Sequence, residues 1–345
     1  MQNQIKDLIT EFFTVQFGLS IPVEIQAFDS GLINHSWKVI TSGGIYVLQK
    51  INHAIFKDPF GLDENIRNIL NYLKQHFPQE VYPELVQAKN GATIVLYKSE
   101  YYRIFYFIPD SHSIDVVKTS RQAFAAAAQF ALFTARLKNF PAEQLNITIP
   151  DFHDLAFRQQ QFDQAITEGN RGRIMASFDL INQLSEHKDI SNTFCEIKDL
   201  KKLPIRVIHH DTKISNVLFN RSGSAICPID LDTVMPGFFI SDLGDMMRTY
   251  LSPANENEQD LNKISIRKEF YDSIIDGYLT GLGTDLAPNE KSYLHYSGEF
   301  IIYMQALRFM TDFLNDDIYY GSKFENQNLM RAQNQLRLLE LYRSL

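Results

Sequence analysis

Val23–Phe28 and Trp37–Ile40 read as strands on either side of Asp29–Ser36, and Ser42-Gly43-Gly44 turns the chain into a third, Ile45–Ile51. The period then changes. Ile66, Ile69, Leu70 and Leu73 recur at i, i+3, i+4 and i+7, the stripe of a helix that buries one face. Asp58 can cap this helix, Pro59 fits its first turn, and Pro78 lies beyond its end. Thr93–Tyr97 and Tyr102–Ile108 read as two more strands after the Asn90-Gly91 turn. The order predicts one small sheet with one helix against it.

Beyond Pro109-Asp110-Ser111 the periodicity is helical. Phe124, Ala127, Ala128, Ala131 and Ala135 share one helix face, and their small size permits close helix contact. Further helices are predicted over Asp154–Glu168, Ile174–Leu184, Ile266–Thr280, Tyr293–Leu314 and Asn328–Leu341. A short apolar β-like island, Arg206–Asp232, interrupts them. The pattern predicts an α+β chain of two lobes: a β-rich lobe over 1–104, a hinge at 105–111, and a larger, mainly helical lobe over 112–345.

The 345 residues carry 33 Lys plus Arg against 41 Asp plus Glu, a net charge of −8. That balance argues against a nucleic-acid binder, which needs a basic surface to displace phosphate counterions. It leaves room for one nucleotide held by a few cations and a metal. Cys195 and Cys227 are too few for a disulfide framework or a zinc pair. The N-terminal stretch lacks an export-signal pattern, and no run reaches a membrane span. A cytoplasmic protein without membrane partners is expected; the sequence leaves the oligomeric state open.

The chemistry concentrates in the island. It reads Ile205-Arg-Val-Ile-His-His-Asp-Thr-Lys-Ile-Ser-Asn-Val-Leu-Phe219, a turn at Arg221–Ser224, then Ile226-Cys-Pro-Ile-Asp-Leu-Asp232. Two strands around a turn would gather Asp211, Lys213, Asn216 and Asp230 at one edge. Phosphoryl transfer needs such a set. One carboxylate takes the acceptor's proton, two oxygen ligands hold Mg²⁺, and an ammonium offsets phosphate charge.

His209-x-Asp211-x-Lys213-x-x-Asn216 followed by Ile229-Asp230 resembles the protein-kinase-like phosphotransferases, in particular the aminoglycoside and choline kinase superfamily. Asp211–Asn216, Ile229–Gly237, Asp242-Leu-Gly-Asp245 and Ala306–Leu314 are similar to the bacterial N-acetylhexosamine 1-kinases. The resemblance implies a bilobal protein-kinase-like fold and transfer from ATP to the anomeric hydroxyl of a sugar such as GlcNAc or GalNAc. Asp211 would be the base, in contact with the sugar, and Asn216 and Asp230 the Mg²⁺ ligands. Lys213 would contact the γ-phosphate, and the adenine would lie at the hinge, beside Phe107 and Ile108. His209 would anchor the loop and Asp242 brace it. Asp232 is either a second metal ligand or a structural acceptor.

The resemblance also implies a strand lysine paired with a helix glutamate. Glu64 is the candidate glutamate. Either Gln49 or Lys50 faces the cleft, because alternation allows only one, and Lys50 is the better chemistry. Gly31–Ser36 takes the place of a nucleotide-covering loop. Arg308 is the candidate sugar contact; the alternative is an ion pair with Asp312 at i+4. Two rival functions remain: a kinase for a cationic acceptor, and a catalytically silent nucleotide-binding regulator.

Overall fold

The computed structural model describes residues 2–28 and 33–345. Residues 29–32, which include the start of the expected nucleotide-covering loop, lie outside that description. The chain opens with α1 (Gln2–Glu11), continued by a π-helical turn at Phe12–Phe17, then β1 (Pro22–Ala27), β2 (His35–Thr41), β3 (Gly44–Ile51) and α2 (Pro59–His76). β4 (Ile94–Tyr97), β5 (Glu100–Tyr106) and the short β6 (Ser111–His112) complete the first third. Then come α3 (Ser120–Arg136), α4 (Leu155–Glu168), α5 (Arg171–Ala176), α6 (Phe178–Ser185) and α7 (Lys188–Asp199). The island supplies β7 (Arg206–Ile208), β8 (Val217–Asn220), β9 (Ala225–Pro228) and β10 (Met235–Gly237). The chain ends with α8 (Phe239–Tyr250), α9 (Lys268–Leu282), α10 (Pro288–Lys291), α11 (Leu294–Leu314) and α12 (Gln327–Arg343). No helix among the described residues is long and apolar enough to cross a membrane.

The first lobe is an antiparallel five-stranded sheet, ordered β1-β2-β3-β5-β4. Strand alternation sends side chains to two faces. Tyr46 and Leu48 pack with Tyr102 and Ile104 against Phe12, Phe13 and Phe17, so the N-terminal segment covers one face. The opposite face carries Val47, Gln49 and Phe105 toward a cleft between the lobes. There α2 buries Ile66, Ile69, Leu70 and Leu73 with Phe133, Leu137 and Leu231 of the second lobe. Asp58 caps α2 by accepting from the Gly61 N–H at 3.0 Å.

The second lobe is built around α11, which is buried along most of its length from Tyr296 to Leu314. The predicted helix over Ile174–Leu184 is two helices. The break falls at Ser177, whose backbone leaves the helical region at φ −116° and ψ 19° and whose hydroxyl donates to the Arg173 carbonyl at 2.6 Å. The expected close contact of the alanine-rich helix is made with α9, where Gly277 and Gly281 sit on the α3 backbone at Phe124 and Ala128. A Cβ at either glycine would collide with a carbonyl oxygen that the helix holds in place. Gly277→Ala is therefore expected to destabilise the protein by about 1–3 kcal/mol, the range for overpacking, read from the denaturant midpoint. An unchanged midpoint would show that α3 and α9 can separate freely.

Candidate functional site

The loop His209–Asn216 is held on three sides. β7 pairs with β10 and delivers the chain at Ile208, opposite Met235. Asp242, in the first turn of α8, accepts the His209 N–H at 2.9 Å and the His210 N–H at 2.7 Å, one on each oxygen. Asp245, one turn on, accepts the Thr212 N–H at 2.9 Å, and the Tyr250 hydroxyl donates to the Thr212 carbonyl at 2.5 Å. His209 is buried edge-on to Phe130, with Nε2 2.9 Å from the Ile229 carbonyl. The structure thus places His209 and Asp242 in the scaffold beneath the loop. Burial pushes the Asp242 carboxyl up to about 7, against the pull of the two N–H donors.

β8 and β9 form the hairpin that brings the second half of the set home. Val217 pairs with Pro228, and the Ile229 N–H donates to the Asn216 carbonyl at 2.8 Å. Asp230 therefore emerges beside Asn216, with its own backbone left-handed at φ 59°. Asp211 Oδ2 lies 2.9 Å from Lys213 Nζ and accepts from Asn216 Nδ2 at 2.9 Å. Burial alone would raise the Asp211 carboxyl, but the Lys213 ammonium, together with His209 and the Asn216 amide, outweighs it and holds the group below the ordinary range. Asp211 is an ionised carboxylate at neutral pH, the state a proton acceptor requires.

Asp230 behaves in the opposite way. Burial, with Asp232 beside it, pushes its carboxyl up to about 6 despite Lys213 and Arg103. That is a carboxylate short of positive charge. The Asn216 amide spends its N–H groups on Asp211, and its oxygen accepts nothing among the described residues. One amide oxygen and one undercompensated carboxylate, both lining the same cavity, fit a hard cation that fills its remaining sites with phosphate and water. Asp232 is placed differently. It is buried, with Oδ1 2.5 Å from Arg103 Nη2 and Oδ2 2.6 Å from Asn34 Nδ2, so both oxygens are already taken by first-lobe donors.

The cavity has a volume of about 400 Å³, within the range of small-ligand sites. Its floor is Lys213, Asn216, Leu218 and Asp230; its roof is Lys38, Val47 and Gln49; Phe107 and Ile108 close the hinge end. Phe107 and Ile108 thus line this cavity. Lys50 does not. It lies on the other sheet face, where its ammonium pairs with Glu100 at 2.6 Å, and Gln49 takes the cleft position. Glu64 is likewise displaced: it is exposed on α2 and, among the described residues, accepts only from Asn146 Nδ2, at 3.2 Å. The buried acid of that turn is Asp63, bound to Thr93 and Arg67. The expected Lys50–Glu64 pair does not exist in this chain. Two basic residues with no expected role stand on the Gln49 face of the sheet instead, Lys38 in the cavity lining and Arg103 buried behind Gln49. Their alternation with inward residues of β2 and β5 was the available signal.

Arg308 does not pair with Asp312, whose oxygens accept the Tyr319 and Tyr320 N–H groups at 2.7 and 2.9 Å. Its guanidinium stands among Phe152, Tyr319 and Tyr320, 5.5, 5.9 and 5.5 Å from the ring centroids. Phe152 stacks on His153, and the His153 ring lies 5.4 Å from that of His210, the neighbour of Asp211. Burial pushes His210 down to about 3, so it is neutral. Arg158 is buried nearby and, among the described residues, donates only to Gln161 and backbone carbonyls. Burial and the Arg308 charge lower its proton affinity. Arg308 and Arg158 are thus two guanidinium groups with no carboxylate partner among the described residues.

The comparisons with known proteins follow this geometry. The fold is similar to spectinomycin phosphotransferase in complex with ADP and spectinomycin, at 14% identity and a TM-score of 0.62, covering 98% of each chain. It is also similar to a microcompartment-associated aminopropanol kinase, at 14% identity and a TM-score of 0.67 over 99% of this chain and 97% of that one. Choline kinase LicA from Streptococcus pneumoniae matches at 14% identity and a TM-score of 0.59 over 98% and 99%. At such identities these likenesses carry the bilobal kinase-like fold. The sequence itself matches the phosphotransferase enzyme family over residues 24–284, about three quarters of its 345 residues. On that match, which spans the loop of Asp211 and Asn216 and the hairpin that leads to Asp230, the chain belongs to the phosphotransferase enzyme family.

Proposed function

We propose that this protein is a Mg²⁺- and ATP-dependent kinase of the cytoplasm that phosphorylates the anomeric hydroxyl of an N-acetylhexosamine. The observation that carries the reading is the cluster of Asp211, Lys213 and Asn216, joined by contacts of 2.9 Å, with Lys213, Asn216 and Asp230 on the floor of one cavity that ends at the hinge. The adenine would sit against Phe107 and Ile108, with the triphosphate running toward Asp230. Asn216 and Asp230 would hold Mg²⁺, which neutralises phosphate charge when bound. Asp211 orients the acceptor hydroxyl and receives its proton. Lys213, held beside Asp211, lies where charge on the moving phosphoryl group can be offset. An anomeric hydroxyl is more acidic than other sugar hydroxyls, so a carboxylate base and correct positioning suffice.

The acceptor class rests on Arg308 and Arg158. A cationic acceptor placed about 5 Å from an unpaired guanidinium would meet a repulsion of about 3 kcal/mol at an effective dielectric near 20. A neutral sugar with hydroxyl and acetamide oxygens finds donors there, and Tyr319 and Tyr320 offer ring faces to its C–H groups. The test is kcat/KM with Mg²⁺-ATP across GlcNAc, GalNAc, glucose, galactose, choline and kanamycin. The N-acetylhexosamines are expected to exceed choline and kanamycin by at least about 10²-fold, the same repulsion expressed as a rate. A preference for choline or kanamycin would overturn the acceptor assignment. Arg308→Met is expected to raise the sugar KM about tenfold or more, the loss of one charged hydrogen bond, with the ATP KM within about twofold. A raised ATP KM with an unchanged sugar KM would place Arg308 elsewhere in the mechanism.

A further inference from the structure

We propose that Arg103 supplies the first-lobe charge that binds the non-transferred phosphates of the nucleotide, in the role expected of Lys50; the proposal rests on the kinase reading above. Arg103 lies in β5 directly opposite Gln49 of β3, so alternation turns both toward the cleft. Its side chain is completely buried. Burying a guanidinium is costly unless its donors are matched. Two positions are matched: Nε donates to Gln49 Oε1 at 3.0 Å and Nη2 to Asp232 Oδ1 at 2.5 Å. Nη1 is buried and has no partner among the described residues. A fixed guanidinium with one donor unspent awaits an acceptor the protein does not provide. A phosphate oxygen suits it, because the planar fork and the charge both match.

The neighbours fix which part of the nucleotide this donor serves. Gln49 and Phe105, whose ring lies 5.2 Å from the guanidinium carbon, both line the cavity. Asp232 is two residues from the candidate metal ligand Asp230, and its other oxygen is held by Asn34. Lys38, a first-lobe cation in the cavity lining, pairs opposite Val47 and lies 4.6 Å from the Phe107 ring centroid, at the hinge end, whereas Arg103 lies buried behind Gln49. Arg103 therefore stands at the metal-loop end, level with the path from ribose to Mg²⁺. Asp232 and Gln49 are positioning residues that aim it, and Asp232 ligates no metal.

The test is calorimetric binding of adenosine and of ADP in Mg²⁺ buffer. Wild-type protein is expected to bind both, and Arg103→Met to lose about 30-fold or more in ADP affinity, the worth of one charge-assisted hydrogen bond, with adenosine affinity within about threefold. Arg103→Met combined with Asp232→Asn removes the stranded carboxylate. It is expected to recover the melting temperature while ADP binding stays weak. Arg103→Lys keeps a charge but cannot hold Asp232 and reach the phosphate together, so about a tenfold ADP loss is expected even where the methionine variants fold poorly. Lys50→Met is expected to change neither ligand. Equal losses for adenosine and ADP, ADP affinity restored in the double variant, or unchanged ADP affinity in Arg103→Lys would each reduce Arg103 to a clamp between the lobes and overturn the proposal. Wild-type protein that binds no ADP would refute the kinase reading, and this proposal with it.

Discussion

Asp211→Asn is expected to lower kcat by about 10²- to 10⁴-fold, the usual worth of a positioned general base, while the ATP KM and the melting temperature stay close to wild type. The amide keeps the shape of the carboxylate and leaves the loop supports at Asp242, Asp245 and Tyr250 untouched. What it loses is the ability to take a proton. Because Lys213 holds Asp211 ionised in the wild type, kcat should show no acid limb from this group until the pH falls below the ordinary aspartate range, near about 4. Steady-state rates at saturating substrates decide the matter. Turnover within tenfold of wild type would mean that the acceptor proton leaves by another route.

Asp230→Ala is expected to have the next largest effect. A bound divalent ion contributes several kcal/mol of charge stabilisation, and at 1.36 kcal/mol per tenfold its loss costs about 10³-fold in Mg²⁺-ATP turnover. Nucleotide binding without metal should survive, because the hinge residues Phe107 and Ile108 stand at the far end of the cavity. The apparent Mg²⁺ requirement should move to higher concentration as turnover falls. A variant with wild-type turnover and the wild-type Mg²⁺ dependence would remove Asp230 from the metal site. The contrast is with Asp232, whose oxygens are engaged by Arg103 and Asn34.

Much of the small lobe was legible because its signals are local. The turn at Ser42–Gly44, the Asp58 cap and the Ile66–Leu73 stripe each act within a few residues, and β3 and α2 follow them. The clustering of the candidate residues was legible for the same reason, since Asp211 to Asp230 is one loop and one hairpin. What escaped depends on contacts between distant segments. Choosing between Gln49 and Lys50 required the register of β3, and a shift of one residue reverses the answer. Arg103 stands opposite Gln49 in space but 54 residues away in sequence, so no spacing announces it. The helix Phe239–Tyr250 carries a plain helical stripe, Phe239, Leu243, Met246 and Tyr250, but that stripe does not announce that Asp242 and Asp245 are buried with it against the loop. For Arg308 the sequence left an ion pair with Asp312 open, and only the Asp312 bonds to the Tyr319 and Tyr320 backbone remove it.

The most direct measurement is phosphorus NMR of the product formed from Mg²⁺-ATP and an N-acetylhexosamine. Transfer to the anomeric oxygen predicts a doublet, split by the single proton on C1, together with loss of the sugar's reducing end. A triplet from a phosphate on the primary hydroxyl would contradict the position of transfer. Inorganic phosphate alone would show that water, and not the sugar, is the acceptor brought to Asp211.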